Sequence, residues 1–160
     1  MAGLRFPTTR KVLVAKGAQF QVQQLKRIAR RTFTLLSSGD VDTNLVATDA
    51  AVGYVDLNMG RPAEITKAKI TNIDIYIKTA TGTVAASVVG VSTATLGGGT
   101  VVVTPAALTG MTAADKMIAM TVIANIVVTT GKLYVYQTTD SANAGTIEVI
   151  VEFVDLTNLA

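Results

Sequence analysis

Eight basic side chains near the N-terminus are the clearest candidates for chemistry in this sequence. They lie within residues 1–39, which contain no aspartate or glutamate, and they are Arg5, Arg10, Lys11, Lys16, Lys26, Arg27, Arg30 and Arg31. From Asp40 onward there are six basic and eleven acidic residues, which gives that part a net charge of −5. A segment of +8 joined to a body of −5 predicts a negatively charged partner for the segment.

The densest part of this basic segment is KRIARR, residues 26–31. Lysine and arginine supply the charge that binds phosphate, so nucleic acid is one partner that fits. Only Phe20 and Phe33 flank the motif, so base stacking is not indicated. Two other interpretations are docking on the acidic surface of a neighbouring protein and a solvated charged face. We favour the protein neighbour.

The sequence offers little to catalysis or metal binding. Histidine and cysteine are both absent, which removes the commonest general base, the thiolate nucleophile and the commonest metal ligands. Glu148 and Glu152 would lie about 13 Å apart along a strand, too far for a glycosidase pair. Gly97–Gly99 joins two predicted strands and lacks the spacing of a phosphate-binding loop. We predict a protein that is not an enzyme and uses no cofactor or metal.

Most of the elements predicted from the sequence are β-strands. Ile73, Ile75 and Ile77 alternate with polar residues, as in an antiparallel strand with one buried face. Residues 132–137 and 145–156 alternate in the same way on either side of a polar turn, and we predict a hairpin that closes a sandwich. Shorter strands are predicted over 51–59, 84–93, 100–104 and 121–130, with a hairpin turn at 79–83. This pattern favours an all-β sandwich or barrel.

We divide the chain into a basic N-terminal arm, residues 1–39, and a β-sandwich, residues 40–160. The start of the arm has no sustained periodicity, and we expect it to be extended and to become ordered on a partner. Residues 19–36 fit either one helix or a short helix over residues 20–30 followed by a strand, and we favour the second. One or two helical turns over 113–120 are a further prediction.

Two predicted strands carry candidates for an interface. Ile150 and Val154 lie beside glutamates on the outer face of the last strand. Tyr134 and Tyr136 alternate with apolar residues on the strand before it. A mixed outer face is typical of a sheet that meets another subunit, so we predict these four residues at a sheet interface.

The sequence also predicts where the protein is made. There is no apolar run of about eighteen residues, so we expect no membrane partner. The first residues lack the apolar core of a secretory signal, so we expect synthesis inside the cell.

Three stretches together resemble the small virion proteins of tailed bacteriophages, especially the cement or decoration proteins on the outside of the capsid. They are ITNIDIYIKTA, the middle rich in Ala, Val, Thr and Gly, and GKLYVYQTTDSANAGTIEVIVEFVDL. The resemblance covers roughly residues 50–156. It implies a jelly-roll-like antiparallel β-sandwich, often trimeric, whose extended arms lock neighbouring capsid subunits.

On that resemblance we expect a cement protein that is made in the host cytoplasm and located on the virion surface. Its partners would be the major capsid protein and copies of itself, with a trimer favoured. One alternative is a jelly-roll coat protein whose basic arm faces inward and contacts nucleic acid. Another is a receptor-binding module of a tail or spike.

Overall fold

The structure, a computed structural model, describes residues 26–37, 43–49, 53–59, 61 and 64–158. These residues form ten strands and one 3₁₀ turn, Thr95–Gly97, and contain no α-helix. The strands are β1 Lys26–Leu35, β2 Thr43–Asn44, β3 Tyr54–Asp56, β4 Ala68–Ala80, β5 Val88–Ser92, β6 Val101–Ala107, β7 Met117–Met120, β8 Val127–Val128, β9 Lys132–Thr139 and β10 Gly145–Asp155.

The strands form two five-stranded antiparallel sheets. The first sheet has the order β1-β10-β4-β7, with β8 also paired to β4, and the second has the order β2-β9-β5-β6, with β3 also paired to β9. The pairing is nested: β1 pairs with β10, β2 and β3 with β9, β4 with β7 and β8, and β5 with β6. This nested order is that of a jelly roll, so the predicted β-sandwich is confirmed.

The core lies between the two sheets. Ile73, Ile75 and Ile77 of β4 are fully buried, as their alternation predicts. Phe33 of β1 and Phe153 of β10 are the largest fully buried side chains. Each fully buried side chain of this size contributes about 1.5–3 kcal/mol to folding.

The nested order corrects two predicted hairpins. β9 and β10 lie in different sheets, so the loop between them crosses the sandwich instead of joining paired strands. The connection from β4 to β5 crosses in the same way. Alternation identifies the buried face of each strand but is the same for a hairpin and for a crossing. The predicted connection at Gly97–Gly99 does join paired strands, β5 and β6.

Strand β1 corrects the helix predicted over residues 20–30. Lys26–Arg30 are strand residues paired with Ile150–Val154 of β10, while residues 20–25 lie outside the described ranges. Pairing with β10 and burial of Ala29 outweigh the helical spacing of this segment.

Two other local predictions need correction. Met117–Met120 is strand β7 where helical turns are predicted, because it completes the edge of β4. β6 continues through Pro105 to Ala107 instead of ending at the proline. Proline is tolerated there because β6 is the last strand of its sheet among the described residues.

The described part of the predicted arm, residues 26–37, thus contributes a strand to the sandwich. The rest of the arm, with Arg5, Arg10, Lys11 and Lys16, lies outside the described residues. If the chain is divided at the start of β1 instead, residues 1–25 carry a charge of +4. Residues 26–160 then hold ten basic and eleven acidic groups, a net charge of −1. The charge contrast is smaller than the division at residue 39 predicts.

Candidate functional site

Four of the predicted partner-contact residues lie on β1, at one edge of the first sheet as described. We call Lys26–Arg31 the basic edge. Lys26 and Arg30 are exposed, whereas Arg27 and Arg31 fall on the strand face that carries Ala29. Charged side chains on an inner face require compensation, because burying an unpaired charge is costly.

Two of these cations pair with carboxylates of β10. Lys26 Nζ lies 2.7 Å from Glu152 Oε1, and Arg27 Nη1 lies 2.9 Å from Asp155 Oδ2. Hydrogen bonds from Lys26 and from the Thr71 hydroxyl lower the pKa of Glu152. Burial raises the pKa of Asp155, but hydrogen bonds from the following turn and the charge of Arg27 leave it below its ordinary value.

Arg31 connects β1 of the first sheet to β3 of the second sheet. Its Nε donates to Asp49 Oδ1 at 3.0 Å, and its Nη1 donates to the Tyr54 carbonyl of β3 at 3.2 Å. The guanidinium carbon lies 5.7 Å from the centre of the Tyr54 ring, and Lys132 Nζ lies 4.9 Å from the same ring. The hydrogen bond from Arg31 lowers the pKa of Asp49. The Tyr54 ring therefore contacts two cations, Arg31 and Lys132, and Arg31 also pairs with Asp49.

The basic edge is largely neutralised within the chain. Three of its four cations face carboxylates, and Arg30 is the one without an ion pair among the described residues. Less charge is therefore free for an outside anion than the sequence predicts.

A shallow groove of about 430 Å³ runs beside this edge. Two of its lining residues, Ile28 and Met59, are exposed apolar side chains, at 54% and 41%. Asp49 and Asp56 share the lining with Arg30 and Arg31. The two carboxylates offset the two guanidinium groups, so the lining of the groove carries no net charge to attract a phosphate backbone.

The structure does not bring the four predicted interface residues together. Tyr136 and Val154 are each only 6% exposed. Burial raises the pKa of Tyr136, whose ring packs so closely on β5 that a methyl group at Gly90 would lie 2.5 Å from its Cζ. Ile150 and Tyr134 are half-buried but belong to different sheets. These residues therefore do not form one patch.

Sequence reasoning missed the exposed apolar residues at the other edge of the first sheet. Met117 of β7 is 64% exposed and Val127 of β8 is 38% exposed. Between these strands, Ile123 is 41% exposed and its N–H donates to the Val102 carbonyl of β6. We call Met117–Val128 the neutral edge. Its sequence signal is the scarcity of charge: residues 79–131 contain only two charged side chains, Asp115 and Lys116.

Within the described ranges, no group of three or more acidic, histidine or cysteine side chains is arranged to hold a metal ion. The same residues include no helix that is long and apolar enough to span a membrane.

No protein-family model matches the chain, and no curated protein matches its sequence. Among solved structures, the chain is similar to one titled "Structure of infectious bursal disease virus Gx strain", with 14% sequence identity and a TM-score of 0.34. The match covers 83% of this chain and 33% of that chain, so the protein spans about a third of the length of its structural neighbour. A likeness at this TM-score carries no argument about function.

Proposed function

We propose that the chain is a structural protein of a virus particle, specifically a cement protein on the capsid surface of a tailed bacteriophage. The observation that carries this proposal is the nested strand order in a chain without histidine or cysteine. Jelly rolls serve in viral capsids, lectins and cupins. Without those two residue types the chain lacks the usual ligands of a catalytic metal, which favours a structural role over an enzymatic one.

The basic edge supports a protein partner. Its groove combines exposed apolar side chains with charges of both signs, as protein interfaces do at their rims. In this proposal the groove and the basic residues before Lys26 bind acidic or mixed surface on the major capsid protein, bridging neighbouring subunits. The resemblance implies a trimer of the chain, and the dimer inferred below from the neutral edge would replace it.

A binding assay on capsids tests the proposal. Capsids assembled from the major capsid protein of the same virus would be mixed with the purified full chain, sedimented and heated. The expected result is saturable binding that raises the disruption temperature of the capsid and weakens with salt. Full chain that remains in the supernatant at low salt would overturn the proposal.

Two charge variants locate the contact. Replacing Arg5, Arg10, Lys11 and Lys16 together by glutamine should weaken binding, because this removes all the positive side-chain charge of residues 1–25. The matched control replaces four cations outside residues 1–39 by glutamine, namely Arg61, Lys67, Lys78 and Lys116. Equal weakening by both variants would contradict a specific role for the arm.

A coat protein that contacts nucleic acid is the second candidate, because residues 1–25 carry four cations and no carboxylate. Binding of a short single-stranded DNA or RNA through these cations would give a log–log salt slope of about −3. A slope of this size, together with no binding to capsids, would favour this candidate over the cement protein.

A further inference from the structure

The neutral edge lacks two of the usual protections of an open sheet edge, charge and proline. Proteins commonly protect such edges with charges, prolines, bulges or a covering segment. Between Met117 and Val128 there is no charged residue and no proline. Among the described residues, β7 pairs only with β4, and no other strand lies beyond it.

The backbone of β7 directs hydrogen-bonding groups away from the sheet. The Lys116 carbonyl accepts from the Ile77 N–H at 2.9 Å, so residue 116 faces β4. Backbone direction alternates along a strand, so Ile118 also faces β4, opposite Ile75. The N–H and C=O groups of Met117 and Ala119 therefore point outward, where a further strand would bind.

We propose that β7 pairs with β7 of a second copy of this chain, antiparallel and about a two-fold axis at Ile118. In this register Met117 of each copy lies opposite Ala119 of the other. These two pairs supply four backbone hydrogen bonds and join the two first sheets into one continuous sheet. The contact is independent of the proposed virion function, since it rests only on the geometry of β7.

The register is complementary to itself, as a two-fold contact requires. On the outer face a large side chain, Met117, meets a small one, Ala119, and on the inner face Ile118 meets Ile118. Lys116 would lie opposite Met120, and Asp115 opposite Thr121, so no like charges meet.

The basic edge shows why a second copy fits the neutral edge in particular. An equivalent two-fold pairing of β1 centred at Ile28 would place Lys26 opposite Arg30, and like charges directly opposite are destabilising. A strongly charged partner would meet no side chain of opposite charge between Met117 and Val128. The neutral edge is therefore matched best by itself.

The mass of the full chain in solution, measured by sedimentation velocity over a concentration series, tests the proposal. Ala119→Pro removes an outward N–H without removing a hydrogen bond to β4. Met117→Lys places a charge at the centre of the contact. The control is Leu96→Lys, since Leu96 is 61% exposed, nearly as much as Met117, and lies on the turn between β5 and β6. We expect dimers for the wild type and the control, and monomers for the two edge variants.

Circular dichroism checks that each monomeric variant is folded, and Met117→Lys, at an exposed side chain, keeps the test valid if the proline variant does not fold. A wild-type chain that is monomeric at every concentration would overturn the proposal. So would a dimer or trimer that both edge variants leave intact. A monomer whose Met117 and Ala119 amides are protected from hydrogen exchange would assign this edge to another part of the same chain, and would overturn it as well.

Discussion

The two edges of the first sheet, the basic edge and the neutral edge, expose their strands in opposite ways. The basic edge holds four cations and pairs three of them with carboxylates of the same chain. The neutral edge exposes Met117 of β7 and Val127 of β8 and has no charge between them. Both belong to one sheet and share its core, so the difference lies in edge chemistry and not in fold.

The difference has a physical consequence for association. The charged side chains of β1 disfavour pairing of this strand with β1 of a second copy. An apolar edge with outward backbone groups favours pairing with a strand of another copy. The basic edge is also joined to the second sheet through Arg31, which bonds to the backbone of β3. One edge is thus built to stay closed within the chain, and the other is suited to meet a copy.

The largest effect is expected where β1 ends. The side-chain amide of Gln137 is buried, accepts from the Leu36 N–H at 3.0 Å and donates to the Leu36 carbonyl at 3.0 Å. Gln137→Met keeps the volume but leaves both backbone groups unpaired, which should lower the free energy of unfolding by about 2–4 kcal/mol. Urea unfolding measures the loss. Thr138→Val, on the outer face, should change stability by about 0.5 kcal/mol or less, and an equal loss in both variants would contradict this role.

Neighbouring arginines offer the next comparison. Arg31→Met removes the hydrogen bond to the Tyr54 carbonyl and the contact with its ring, and we expect a loss of about 1–2 kcal/mol. Arg30→Met, at an exposed residue without an ion pair in the described structure, should cost about 0.5 kcal/mol or less. Thermal unfolding of the two variants gives the difference, and equal values would show that Arg31 does not hold the sheets together.

Much of the fold is predictable because alternation identifies buried faces. Ile73, Ile75 and Ile77 are buried as predicted, since a strand with one core face must repeat every two residues. The partner of each strand is not encoded in that repeat. The residues of β9 and β10 alternate as a hairpin would, yet the two strands lie in different sheets. The jelly-roll order followed from resemblance and not from the alternation.

The site was less predictable because its contacts are distant in sequence. Lys26 meets Glu152 only because β1 and β10, the first and last strands, are neighbours. From the sequence alone, the KRIARR motif at residues 26–31 therefore predicts charge that is available to a partner. The neutral edge has a signal in the sequence, two charged residues over 79–131, but strand order alone shows that β7 and β8 form an edge.

Acid should affect the basic edge before the neutral edge. The pKa values of Glu152, Asp49 and Asp155 lie below their ordinary values of 4.5, 3.8 and 3.8. Their stabilising effect is complete above those ordinary values and is lost as the pH falls through the lowered values of the folded state. Stability should therefore fall below a pH of about 4.5.

Hydrogen exchange along β1 and β7 at several pH values measures which edge opens. Amides of Lys26–Arg31 should lose protection at acidic pH before those buried between β7 and β4. In Lys26→Met the part of the acid response due to Glu152 should shrink, because the ion pair is already absent. Equal loss of protection at both edges would contradict a local effect of these carboxylates.

The smallest effect is expected next to the neutral edge, at the hydroxyl of Tyr76. It donates to Asp115 Oδ1, and this hydrogen bond raises the pKa of Tyr76 above its ordinary value of 10.0. The hydrogen bond stabilises the fold while the phenol is protonated and is lost as the pH rises through the raised pKa. Both groups are exposed, so Tyr76→Phe should lower the unfolding temperature less than Arg31→Met does.

Absorbance titration of the tyrosines tests the cause directly. In Asp115→Asn the pKa of Tyr76 should return toward 10.0, because the carboxylate that holds its proton is gone. Neither variant removes an outward backbone group of β7, so both should keep the dimer expected through that strand. A Tyr76→Phe chain that is monomeric and otherwise folded would show that β7 depends on this side-chain contact, and the neutral edge would then not associate through its backbone alone.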